Sequence, residues 1–123
     1  MSKAMEAFTV SSHFEGKDPV VFQIYKQLLK TLRRLGPVIE EPKKTSIHLV
    51  NATATAGVAT RKAHLILTLK SDRKLISPRI HKTEQVSAKR FYHEVKLVSP
   101  TEVDDELAGW LREAYALSAP KSG

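Results

Sequence analysis

The chain has 123 residues, 41% of them apolar and 27% charged, with a formal net charge of +7. That length suits one hydrophobic core rather than two, and the composition is that of a globular domain, so disordered and fibrous classes are set aside. The absence of cysteine excludes disulfides, thiolate metal sites and a cysteine nucleophile, and it fits a reducing, cytoplasmic setting. No run approaches the roughly 18 apolar residues of a spanning helix, and Met1 to Val10 has no continuous apolar stretch of the kind a signal peptide carries.

The positive charge is unevenly placed. Residues 1–25 carry −1, 26–44 carry +4, 45–69 carry +2, 70–96 carry +5 and 97–123 carry −3. A basic middle followed by an acidic end implies an anionic partner if the cations converge, and mere solubility if they are scattered.

Asp18-Pro19 predicts a helix start, with the Asp carboxylate accepting from first-turn amides and proline at the first helical position. Val21, Ile24, Tyr25, Leu28, Leu32 and Leu35 recur at helical spacing, basic residues gather in the last turns, and Gly36-Pro37 stops the helix. Lys44 to Val50 alternates as a strand. Asn51 to Gly57 reads as a turn leading into a partner strand that ends near Thr60. Arg61-Lys62 then turns the chain into a strand over Ala63 to Lys70, where Leu65, Leu67 and Leu69 alternate with His64, Ile66 and Thr68.

Ser71 to Ala88 has no clear period, contains Pro78 and several cations, and is predicted to cross the surface as a long basic loop. Phe91 to Val98 alternates again. Ser99-Pro100-Thr101-Glu102 has the residues of a capping box and predicts a helix start, with Val103, Leu107, Trp110, Leu111, Ala114 and Tyr115 as the buried face. The expected fold is α+β, a two-layer sandwich with an antiparallel sheet of three to four strands and two main helices on one face. The domain is expected over residues 9–117, with 1–8 and 118–123 as flexible termini.

His13-Phe14-x-Gly16-Lys17, the strand Lys44-Thr45-Ser46-Ile47-His48-Leu49, the strand Tyr92-His93-x-Val95-x-Leu97 and the helix from Asp104-Asp105-Glu106-Leu107 through Trp110-Leu111 to Ala114-Tyr115 together resemble a bacterial domain-of-unknown-function family over roughly residues 9 to 117. That family is similar in layout to small YdhG-like and YjbR-like α+β domains, some labelled iron chaperones and others DNA-binding proteins. Its occurrence in longer proteins of nuclease-like or transport character implies an accessory binding role. The Ala- and Thr-rich turn after the first strand departs from the family's more aromatic pattern and leaves the hairpin register open.

No Gly-x-Ser-x-Gly elbow is present, no acidic residue is expected near the strand histidines, and the glycines are scattered, so neither a nucleophilic triad nor a nucleotide loop is expected, and the chain reads as a non-enzyme without cofactor. The five histidines lack metal-ligand spacing. His93 shares a face with Val95 and Leu97 and is readable as a structural hydrogen-bonding residue. Glu102, Asp104, Asp105 and Glu106 suit a helix first turn without any metal.

The basic constellation is the functional lead. Lys44, Ser46, His48, Arg61, Arg79, Lys82, Arg90 and His93 are the candidate anion-binding residues, many of them near strand ends, with Tyr92 as a stacking neighbour. The expected partner is nucleic acid or another anionic ligand, bound without strong sequence preference. Two alternatives are a small-molecule or iron module with a pocket near His48, His93 and Arg79, and a protein-interaction adaptor.

Overall fold

The structure is a computed structural model that describes residues 8–118; the expected flexible termini lie outside these residues except at Phe8 and Ser118. After a 3-10 turn at Ser11–Phe14 come helix α1 (Pro19–Arg33), strands β1 (Ile39–Pro42), β2 (Ile47–Val50), β3 (Ala54–Thr60), β4 (Leu65–Ser71), β5 (Ile80–Ser87) and β6 (Arg90–Leu97), a second 3-10 turn (Pro100–Glu102) and helix α2 (Asp105–Ser118).

Helix α1 forms where its apolar period predicts, and Val21, Ile24, Tyr25, Leu28 and Leu32 are buried along one stripe. Its start differs from the expected cap. The Asp18 carboxylate takes Lys62 Nζ at 2.7 Å, while the Asp18 carbonyl accepts the Val21 amide at 3.0 Å. An opposite charge in the β3–β4 turn has outcompeted the first-turn amides, and the Asp18 N–H donates to the Lys62 carbonyl at 2.8 Å, so the helix start is tied to that turn. At the other end Gly36 has φ of 153°, and a Cβ there would run into the Tyr115 hydroxyl, which donates to the Pro37 carbonyl at 3.0 Å.

The sheet has six strands in the order β1-β2-β3-β4-β6-β5, all neighbours antiparallel. This corrects the expected three to four strands, because both edge strands escaped the alternation pattern. β1 is only four residues long and ends on Pro42, too short for a period to show. It is held by Tyr25, whose hydroxyl donates to Glu40 Oε2 at 2.6 Å. β5 occupies the second half of the predicted basic loop, from Ile80 to Ser87. Lys82, Thr83, Glu84 and Gln85 are polar on both faces, and register shifts lie between Ile80 and Lys82 and between Gln85 and Ser87, so no hydrophobic alternation marks the strand. Such bulges and charges suit an exposed edge, where they oppose pairing with another chain.

The β2–β3 hairpin carries a register shift between Leu49 and Val50, with Leu49 opposite Ala56 and Val50 opposite Ala54. The extra residue, Thr55, is buried and bonds through its hydroxyl to that of Ser118, and the Ser118 carbonyl accepts the Ala52 and Thr53 amides. The end of α2 therefore clamps this turn, and Ser118 is buried rather than frayed.

The Ser99–Glu102 capping box is present, with Glu102 Oε1 accepting the Ser99 amide at 3.3 Å. It closes the 3-10 turn, however, and not α2 itself. Val103 leaves helical geometry, and α2 starts afresh with Asp104 Oδ1 accepting the Leu107 amide at 3.1 Å.

One core joins α1 and α2 to a single sheet face, on which Ile47, Leu49, Val58, Leu65, Leu67, Leu69, Val95 and Leu97 are all buried. Among the described residues the opposite face carries no helix. Strand parity places His48, Gly57, Thr68, Lys70, Tyr92, Glu94 and Lys96 there.

A candidate anion-binding groove on the open sheet face

Cross-strand register assembles the open face from small residues in the middle and longer ones around them. His48 pairs with Gly57, Gly57 with Thr68, Thr68 with Glu94 and Glu94 with Lys82, in one row across five strands. Ala54, Gly57 and Ala59 leave strand β3 almost bare, so the taller side chains of its neighbours enclose a trough of about 300 Å³. Ser46, His48, Thr68, Lys70 and Tyr92 also line it.

Lys70 is the unusual member. It is 8% exposed, and its Nζ donates to Thr53 Oγ1 at 3.0 Å. Burial holds its ammonium below the ordinary lysine range, and the positive charge of Arg90 lowers it further. Arg90 lies on the same face of β6 as Tyr92, the cross-strand partner of Lys70, and is thus a diagonal neighbour of Lys70. Among the described residues neither cation has a carboxylate partner. Two neighbouring cations, one of them desolvated, form a place where an incoming anion relieves repulsion and supplies the missing hydrogen-bond acceptors.

The nearby acids are differently engaged. Glu94 Oε1 lies 3.2 Å from His81 Nε2 and Oε2 lies 4.0 Å from Lys82 Nζ. Glu84 stands on the edge strand beyond Tyr92, its cross-strand partner. Tyr92 is 39% exposed and separates it from Lys70.

The eight residues singled out by sequence divide into four places. Ser46 and His48 line the trough, and Arg90 sits at the Lys70 end of it. Lys44 and Arg61 lie in the two turns at the opposite end of the strands, and Lys82 is on the edge strand. Arg79 and His93 belong to the other side of the sheet. Arg79 Nη1 donates to Asp104 Oδ1 at 2.8 Å and Glu106 Oε1 at 3.1 Å, Nη2 donates to the Glu102 carbonyl at 2.6 Å, and the guanidinium lies 5.9 Å from the centre of the Trp110 ring. Its valences are spent on the start of α2.

His93 is fully buried. The Leu75 amide and the Arg73 carbonyl each lie 3.4 Å from its Nε2, and Thr83 Oγ1 lies 3.0 Å from its Nδ1. Ser71 Oγ lies 3.1 Å from Nε2. Burial pushes His93 below the ordinary histidine value, against the opposing pull of the Arg73 carbonyl, with the Arg73 and Lys74 charges lowering it further. The pocket expected near His48, His93 and Arg79 is therefore not formed, since the sheet stands between them. Among the described residues no group of three His, Asp or Glu side chains is placed to hold a metal ion.

Lys70 and Thr68 were not among the sequence candidates. The available signal was parity within β4, which puts both on the face opposite Leu67 and Leu69, together with a glycine in mid-strand at position 57.

Among the described residues no helix is long and apolar enough to cross a membrane. No curated protein and no solved structure matches the chain. A family model does match, over residues 10–118, and it covers every element that builds the open face; the chain belongs to the domain-of-unknown-function family DUF5655.

Proposed function

We propose that this chain is a non-enzymatic binding module whose open sheet face engages the phosphates of a nucleic acid. The observation that carries this reading is the pair Lys70 and Arg90, which form no ion pair among the described residues and are set at one end of a trough whose wall includes Tyr92. Phosphates satisfy such cations through charge-assisted bonds, and an aromatic ring on an open sheet offers a stacking surface indifferent to base identity. Ser46 and His48 line the same trough, and Lys44 and Arg61 extend positive charge past the far strand ends. The setting that goes with this reading, as part of the same proposal, is a bacterial cytoplasm.

A second reading, a small anionic molecule, is favoured by the trough volume of about 300 Å³, which sits at the lower end of ordinary ligand pockets. Fluorescence anisotropy with labelled oligonucleotides at about 50 and 200 mM salt separates the two. About four phosphate contacts give a log–log salt slope near −2.8 and roughly a 50-fold loss of affinity across that range for a single strand. The double variant Lys70→Gln, Arg90→Gln makes the slope shallower by about 1.4. Failure to bind any oligonucleotide at the lower salt rejects the nucleic-acid reading, and saturable binding of inorganic phosphate in its place would establish the small-anion one.

A further inference from the structure

Resting on that reading, we infer that the trough takes one unstacked nucleobase laid flat over Gly57 between His48 and Tyr92, which makes the partner single-stranded. The geometry supporting this lies in the floor and the walls. His48 and Tyr92 stand on β2 and β6, three strand spacings apart through β3 and β4, or about 14 Å. Between them the backbone at Gly57 is uncovered. A ring system can lie against bare peptide there, with the Thr68 hydroxyl at its edge and Tyr92 beside it. Lys70 and Arg90 then sit where the flanking phosphates pass, and Lys70, whose ammonium donates to Thr53 Oγ1, lines the same trough that the base enters.

A duplex cannot use this site in full. Its bases are stacked inside the helix, and flat contact with a sheet requires a base that has left its stack. A duplex would meet only the cations, whereas a single strand meets both the cations and the floor. Stacking on aromatic side chains adds about five- to 150-fold in affinity per base.

Gly57 supplies a clean probe. A Cβ at this position would meet only Thr68 Cβ, at 3.9 Å, an ordinary contact. Gly57→Val therefore fills the trough while remaining compatible with a strand, where β-branched residues are favoured. The experiment compares the intact chain and Gly57→Val for binding to a short oligothymidine, a duplex of equal phosphate count and an abasic strand of equal length. The intact chain is expected to prefer oligothymidine over both the duplex and the abasic strand by tenfold or more, and Gly57→Val to lose that preference. Tyr92→Leu, which removes the ring beside the floor, is expected to reduce the preference as well.

Equal affinity of the intact chain for oligothymidine and the abasic strand overturns the inference while leaving phosphate binding in place. So does a Gly57→Val variant, folded by circular dichroism, that retains the preference. Absence of binding to all three strands removes the underlying reading and the inference with it.

Discussion

Replacing His93 with Ala is expected to destabilise the fold by about 3 kcal/mol, because the Leu75 amide and the Ser71 and Thr83 hydroxyls each lose a buried partner. In a domain of this size that lowers the thermal midpoint by about 12 °C. His93 joins three segments: the end of β4, the loop carrying Leu75, and edge strand β5. Its loss therefore frees β5 first. The same histidine gives a pH dependence with a definite sign. Its folded value lies below the ordinary 6.5, so the unfolded chain binds the proton more readily. Its contribution is complete above about pH 6.5 and is lost progressively as pH falls from there through the lowered folded value. Urea midpoints at about pH 7.5 and 5.5 should converge in His93→Gln relative to the native protein, while His64, also lowered by burial, acts in both. Equal acid sensitivity in the two proteins would show that His93 is not the titrating group.

Replacing Arg79 with Ala is expected to cost about 2 kcal/mol and about 8 °C. Three acceptors at the start of α2 lose their donor, namely the Asp104 and Glu106 carboxylates and the Glu102 carbonyl. The figure is held down by the partial exposure of both acids, which water solvates when the guanidinium leaves. Arg79→Lys retains the charge but loses the fork that reaches Nη1 and Nη2 acceptors together, and recovers only part of the stability. Neither variant is expected to alter nucleic-acid affinity. A loss of affinity without a loss of stability would return Arg79 to the binding surface.

Legibility from sequence followed the locality of the physics. Leu65, Leu67 and Leu69 announce β4 because one face of that strand is wholly buried, and Val21 to Leu32 announce α1 for the same reason. Lys82-Thr83-Glu84-Gln85 announces nothing, since an edge strand with polar residues on both faces has no pattern to leave. The strand exists because β6 offers it a ladder, and that is a tertiary cause. Ile39 to Pro42 is held in the same way from outside, by Tyr25 and by pairing with β2.

The candidate site divides similarly. Ser46, His48 and Arg90 were accessible from strand parity and charge. Lys70 was not, because a lysine after a run of apolar residues looks like a strand end until β3 and β6 are placed on either side of it. Arg79 and His93 were assigned to an anion because their partners lie far along the chain, at Asp104 and at Ser71 and Thr83. The trough itself arises from the pairing of Gly57 with His48 and Thr68, a relation that no single segment contains.

The most direct test is an amide chemical-shift titration of the isotopically labelled protein with oligothymidine. Binding on the open face predicts that the largest shifts fall at Gly57, Thr68, Lys70 and Tyr92, with the amides of α1 at Lys26, Lys30 and Arg33 nearly still. Shifts gathered on α1, or confined to the Lys44 and Arg61 turns with Gly57 and Lys70 unmoved, would contradict it.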